Sequence, residues 1–275
     1  MPKFFVKTNQ IEENKIKIIG EDVKHINQVL RAKIGEELTI CNLDTTLNYI
    51  TTISQITPEY VMCDIQDCVK SFVESNVQVT IFQGLPKADK MEYIIQKNTE
   101  LGAKQIVPVE MVRCVVKLDS KKEGKKIERW QKIAESAAKQ SGRDLIPTVE
   151  MPIDINNLCE KIKEFDAVIL AYEEEKENTL KNELKKLDGT KDLKIGIIIG
   201  PEGGMDKTEV EKLAKAGAKV VTLGKFIGPE GGFDGDELKL ANEAECNIIT
   251  LGKRILRTET ASISIMSNIV YEFEL

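Results

Sequence analysis

The chain has 275 residues, 41% of them hydrophobic and 31% charged, with a formal net charge of −6. This balance predicts one large or two modest globular domains and excludes a disordered polyelectrolyte. The acidic total argues against a protein that coats nucleic acid indiscriminately, and no stretch approaches the roughly 20 apolar residues of a membrane span, so a cytoplasmic protein is expected. Short alternating runs at Lys15–Ile19, Glu37–Ile40, Leu47–Ile53 and Tyr60–Ile65 predict the strands of a small sheet or barrel. One helix interrupts them, Val23–Arg31, with Val23, Ile26, Val29 and Leu30 on one face and Gly35 shortly after its end.

After Ser71–Ser75 the rhythm changes to long apolar strands alternating with helices, the pattern of a doubly wound α/β domain with a parallel sheet. The strands are expected at Val77–Phe82, Ile106–Met111, Ala167–Ala171 and Lys194–Ile199; the clearest helices are Lys90–Leu101, closed by Gly102, and Lys125–Gln140. The domain boundary is therefore placed between residues 1–72 and 73–275.

Six cysteines, at 41, 63, 68, 114, 159 and 246, form no C-x-x-C pair and read as reduced thiols that mostly pack. His25 is the only histidine, which excludes a zinc site built on two or three imidazoles; no metal is expected, and His25 itself reads as a helix surface residue. Between Arg113 and Arg143 the basic residues Lys117, Lys121, Lys122, Lys125, Lys126, Arg129, Lys132 and Lys139 accumulate, while acids gather elsewhere, as at Glu173-Glu174-Glu175. A basic face on an acidic protein suits phosphates, and a merely solvated helix fits the same charges equally well.

Residues 199 to 225 align without gaps to residues 227 to 253, with 13 of 27 positions identical, so the chain carries an internal duplication with a 28-residue period. Each copy is a loop, a helix and a strand. The helices open on capping-box pairs, Asp206 with Glu209 and Asp234 with Glu237. The loop Gly200-Pro201-Glu202-Gly203-Gly204, repeated at Gly228-Pro229-Glu230-Gly231-Gly232, follows a buried strand and precedes a helix. Glycines there let backbone N–H groups approach a ligand at the carboxyl end of the sheet. The spacing is neither that of a dinucleotide fingerprint nor that of a P-loop, and a tight turn into a helix explains a single copy as well.

The run from Leu251 to Ala261, LGKRILRTETA, together with IGPEGG, closely resembles the bacterial small-subunit ribosomal RNA methyltransferases of the SPOUT superfamily, which methylate N3 of a uridine. The resemblance extends through Phe4-Phe5-Val6, His25 to Gly35, Pro86-Lys87 with Lys97, Glu100-Leu101-Gly102, Pro108, Arg113, Arg129 to Ile133 and Gln140 to Arg143. It implies an N-terminal PUA-like β-barrel for RNA, then an α/β SPOUT domain with a C-terminal trefoil knot, S-adenosyl-L-methionine as cofactor, a homodimer, and 16S ribosomal RNA or the small ribosomal subunit as partner. The family usually has arginine where this chain has Lys3, and it uses one GPEGG loop where this chain has two.

The loop Gly200, Pro201, Glu202, Gly203 and Gly204 follows the better strand, whereas the second copy adjoins LGKRILRTETA at the family's spacing. A composite cofactor pocket is therefore expected, formed by the first loop with Leu251, Gly252, Ile255, Leu256 and Thr258; the rival arrangement uses Gly228, Pro229, Glu230, Gly231 and Gly232. Arg257 is the candidate for stabilising the uracil anion, and a phosphate clamp or a helix-terminal ion pair with Glu259 fits it equally well. Phosphate contacts are expected from Arg31, Lys33, Lys87, Arg113, Lys117 and Arg143, while Trp130 reads as core. The competing reading is an RNA- or nucleotide-binding protein of the same fold whose catalysis is impaired.

Overall fold

The computed structural model describes residues 3–70, 73–118, 123–171, 180–221 and 256–275. Two units divide the chain, Met1–Glu74 with Glu135–Ile146, and Ser75–Ala134 with Pro147–Leu275.

In the first unit β1 (Lys3–Val6), β2 (Ile11–Glu12), β3 (Lys15–Ile19), β4 (Glu37–Asn42), β5 (Leu47–Ile56) and β6 (Tyr60–Lys70) form one sheet in the order β1-β4-β5-β6-β3-β2. Period-two alternation explains the face each residue takes: Ile16 and Ile18 of β3 are buried while Lys15, Lys17 and Ile19 point outward. The expected closed barrel is not formed among the described residues. Closure needs a ladder between the end strands, but β1 and β2 do not pair and β2 is only two residues long, so the sheet stays open.

The helix expected over Val23–Arg31 also differs. A single α-turn, α1 (Glu21–Lys24), gives way to a π-helical segment, His25–Leu30, that ends at Arg31 with φ 53°. The wider π-turn rotates later residues off the apolar stripe. Val23 and Ile26 stay buried, whereas Val29 is 66% and Leu30 37% exposed. His25 is on the surface, with the edge of its ring against Phe4.

Residues Glu135–Ile146 bring buried charge into this unit. Arg143 and Asp144 are buried, and Lys3 pairs with the Asp144 carboxylate while donating to Gly142 O at 2.9 Å. Arg143 holds Glu74 by both edges, Nε to Oε1 at 3.2 Å and Nη2 to Oε2 at 2.6 Å, and the same carboxylate accepts the backbone N–H groups of Asp144 and Leu145. Cys41 lies beside them and donates to Asp144 O at 3.2 Å. Burial, reinforced by the Asp144 charge, pushes its thiol up to about 12, which keeps it protonated as a packing residue.

The second unit is a sheet in the order β10-β8-β7-β12-β11-β13, with β9 also paired to β8. Its strands are β7 (Val77–Gly84), β8 (Gln105–Glu110), β9 (Thr148–Val149), β10 (Ile153–Asp154), β11 (Ala167–Ala171), β12 (Leu193–Ile199) and β13 (Lys219–Val221), paired in parallel throughout. The near-continuous apolar runs of β7, β11 and β12 are buried, as a sheet covered on both faces requires. The helices are α2 (Lys90–Glu100), α3 (Glu123–Ser141, whose last turns belong to the first unit), α4 (Ile155–Lys161), α5 (Leu180–Leu184), α6 (Lys207–Lys215) and α7 (Thr258–Glu274). Gly102, at φ 97°, terminates α2 as its position predicts, and Trp130 is 1% exposed in the core. Among the described residues no helix is long and apolar enough to cross a membrane.

From β7 the chain moves to β8 on one side, while from β12 it passes through α6 to β13 beyond β11 on the other. The carboxyl ends of β7 and β12 therefore flank a switch point, the place where open α/β sheets leave a crevice for ligands.

Candidate functional site at the sheet switch point

The first glycine loop fills this crevice. It begins at Gly200, directly after β12, and closes a turn in which Gly204 N–H donates to Pro201 O at 2.9 Å with Gly204 at φ 71°. Two glycines permit the close approach of its walls. A Cβ on Gly84, the last residue of β7, would lie 2.7 Å from both Cδ and N of Pro201; one on Gly203 would lie 3.2 Å from Cβ and O of Arg113. Arg113 also donates to Gly203 O at 3.3 Å. The loop then enters α6 through the expected capping box, and Glu209 exceeds that role: one carboxylate oxygen accepts Asp206 N–H at 3.0 Å and the other Val112 N–H at 2.7 Å. One side chain thus ties the loop's exit to the segment carrying Arg113.

Glu202 points away from its own turn toward the segment after β7. It accepts Lys87 N–H at 3.0 and 3.2 Å, and Lys90 Nζ lies 3.0 Å from it and 3.5 Å from Glu259 at the start of α7. Ala88, between the two lysines, has φ 53°, a conformation that non-glycine residues adopt only when their surroundings hold it. Partial burial raises the Glu202 carboxyl, but the Lys90 ammonium and the backbone N–H groups of Glu202 and Lys87 outweigh it and hold the group below its usual 4.5. Burial likewise works against the Lys90 charge, and Glu202 and Glu259 overcome it, holding the ammonium above 10.5. A lowered carboxylate stabilises the fold above its unfolded value and loses that contribution as pH falls through the folded value; a raised ammonium does the reverse at high pH. Protection of the Lys87 amide from hydrogen exchange, corrected for intrinsic rate, is expected to be flat between these limits and to fall only below pH 4.5 or above pH 10.5. A decline centred near neutrality would show that another group holds the loop.

A buried relay joins the loop to α7. Thr258 Oγ1 donates to Gly200 O at 2.8 Å and accepts from Gln83 Nε2 at 2.9 Å, while Gln83 Nε2 also reaches Gly84 O at 3.0 Å. One turn further along α7, Ser262 Oγ accepts from Asn98 Nδ2 at 3.0 Å.

Of the residues expected from the sequence, Gly200, Pro201, Glu202, Gly203, Gly204 and Thr258 come together here, with Lys87 and Arg113 at the loop's rim. Leu256 is half-buried against the core, and Arg257 is an exposed N-cap residue of α7 in extended conformation. The ion pair with Glu259 that stood as one alternative role of Arg257 is made by Lys90. Leu251, Gly252 and Ile255 lie outside the described residues, as do Gly228, Pro229, Glu230, Gly231 and Gly232. Arg31 and Lys33 are exposed in the first unit and Lys117 in the second. Arg143 is placed otherwise than a phosphate contact requires, because its side chain is 5% exposed and committed to Glu74. Other charges of the basic run also serve internal pairs, Arg129 with Glu92 at 2.9 Å and Lys139 with Asp22 at 2.8 Å. Gln83, Gly84, Lys90 and Asn98 escaped the sequence reading. A glycine closing a strand just before Pro86 was the available signal for Gly84; the two amides carry none, since their partners are more than 160 residues away.

Residues 73–227 and, separately, 225–270 match the family described as RNA methyltransferase domain. The first match contains the first copy and the second match, which starts two residues before the second copy, contains that one. Ribosomal RNA small subunit methyltransferase E of Bacillus subtilis is 35% identical over 100% of this chain and 98% of its own length. The protein of that name from Mesomycoplasma hyopneumoniae is 30% identical over 79% of this chain and 88% of its own length. The crystal structure of the Neisseria gonorrhoeae enzyme of that name, bound to S-adenosyl methionine, superposes with a TM-score of 0.71 at 26% identity, covering 98% of this chain and 97% of that one. This chain belongs to the RNA methyltransferase family that includes ribosomal RNA small subunit methyltransferase E.

Proposed function

We propose that this chain transfers a methyl group from S-adenosyl-L-methionine to N3 of a uridine in 16S ribosomal RNA, acting in the cytoplasm as a homodimer on the RNA or the small ribosomal subunit. The reading is carried by the meeting of Gly200 with Thr258: the first glycine loop and the segment that follows the second copy share one crevice, as a composite pocket requires. The close approach of Pro201 to Gly84 and of Arg113 to Gly203 fixes the backbone of the loop, which suits a ligand held by main-chain groups. The N-terminal unit would serve as the PUA-like RNA-binding part, and the C-terminal chain of the second unit would form the trefoil knot.

When bound, S-adenosyl-L-methionine would supply an electrophilic methyl, its sulfur leaving as a neutral thioether and the N3 proton being lost to solvent. The chain's part is to position and to stabilise. Backbone groups of Gly200 to Gly204, Leu251 and Gly252 would hold the polar ends of the cofactor, with Ile255 and Leu256 against its base. Arg257, exposed at the mouth of α7, would stabilise the negative charge that develops on the uracil. Lys87, Arg113 and Lys117, with Arg31 and Lys33 of the first unit, would hold RNA phosphates.

Purified protein incubated with methyl-labelled S-adenosylmethionine and small-subunit RNA should yield labelled 3-methyluridine on nucleoside analysis. Arg257→Ala should lower kcat by about 100-fold while leaving cofactor affinity within about threefold. Label in any other nucleoside would refute the N3 assignment; cofactor binding with no turnover would favour the catalytically impaired reading.

A further inference from the structure

We propose that Gln83 and Thr258 are positioning residues that set the glycine loop for the cofactor, a role resting on the reading of that loop as the cofactor's seat. Their hydrogen bonds have only one consistent direction. Thr258 has a single hydroxyl proton, and Gly200 O, an acceptor, takes it at 2.8 Å. The group facing the hydroxyl from the other side must therefore donate, which orients the Gln83 amide with Nε2 toward Thr258; Gly84 O, a second acceptor on that side, demands the same. The last residues of β7, the first residue after β12 and the first turn of α7 are thus joined through one hydroxyl.

The same geometry leaves Gln83 Oε1 buried with no hydrogen-bond partner among the described residues, in a residue that is 0% exposed. A residue serving stability alone gains little from such a group, because a buried acceptor without a partner opposes folding. Asn98 repeats the arrangement one turn along α7, its Nδ2 bound to Ser262 and its Oδ1 without a partner among the described residues. In both cases the donor N–H, not the oxygen, makes the contact to α7. The relay uses the Thr258 hydroxyl fully enough that it acts through Gly200: it fixes where the loop carbonyl points, and so where the loop's N–H groups face.

This makes Gln83→Met a diagnostic change, since it removes the relay donor and the orphan oxygen together. Cofactor affinity by calorimetry, the thermal midpoint of the cofactor-free full chain and amide exchange of residues 200 to 204 should be measured for Gln83→Met, Thr258→Val and Thr258→Ser. The expected result is a roughly tenfold loss of S-adenosylmethionine affinity and faster loop exchange in Gln83→Met and Thr258→Val, with Thr258→Ser close to the parent. The midpoint of Gln83→Met should be unchanged or raised, and the double variant Gln83→Met/Thr258→Val should bind no worse than Thr258→Val alone. Parent-like affinity and exchange in both single variants would overturn the proposal, as would a Gln83→Met loss that only tracked a lowered midpoint. If the parent itself bound no S-adenosylmethionine the functional reading would fall, and unchanged loop exchange in the variants would separately decide against the relay.

Discussion

Gly84→Val should abolish cofactor binding. The added Cβ alone would stand 2.7 Å from two atoms of Pro201, one of them backbone, so the turn after β12 must move rather than a flexible side chain yield. Overpacking of this kind costs about 1–3 kcal/mol of stability, which a domain with this much buried sheet should survive, but a loop displaced by an ångström loses the alignment that main-chain recognition needs. Gly203→Val should act in the same direction by pressing on Arg113, whose Cβ and O would be 3.2 Å from the new atom. Gly231→Val, in the second copy, should leave affinity within about threefold, since the composite pocket uses only the first loop. Calorimetric titration of the three variants decides between the two loops: loss in Gly231→Val with full binding in Gly203→Val would transfer the pocket to the second copy.

Arg143→Ala should destabilise the first unit by about 3 kcal/mol, because it leaves Glu74 without its guanidinium in a half-buried setting. Arg143→Lys should recover little of this, since a point charge cannot replace the two-edged contact to Oε1 and Oε2. Urea unfolding followed by far-ultraviolet circular dichroism is the suitable readout, as it follows the backbone of both units, whereas the single tryptophan, Trp130, belongs to the second. An unchanged unfolding curve accompanied by weaker RNA binding would instead return Arg143 to the phosphate contacts expected from its place in the basic run.

Arg143 also shows where reading the sequence reaches its limit. Charge clustering offers the segment from Arg113 to Arg143 as a basic face or a solvated helix alike, and the fold takes several of its charges into pairs: Arg129 with Glu92, Lys139 with Asp22 and Arg143 with Glu74. Sequence proximity reports which charges are present; only packing determines which of them have already found a partner. The π-helical turn at His25–Leu30 makes the same point for an apolar stripe, because a period of 3.6 assigns Val29 to the core and a wider turn removes it.

Sequence by itself determined what depends on local chemistry and period. The alternation in β3, the apolar runs of β7, β11 and β12, the cap of α6 at Asp206 and Glu209 and the left-handed stop at Gly102 each follow from a few adjacent residues. So did the glycine loop and its duplication, since glycine's freedom is a property of one position. Tertiary structure alone decided that the first unit's sheet stays open, that β7 and β12 lie side by side at the switch point, and that Gln83 meets Thr258 across 175 residues of chain. The reason is physical: strand order and buried hydrogen bonds are set by contacts between distant segments, and a residue's own neighbours carry no record of them.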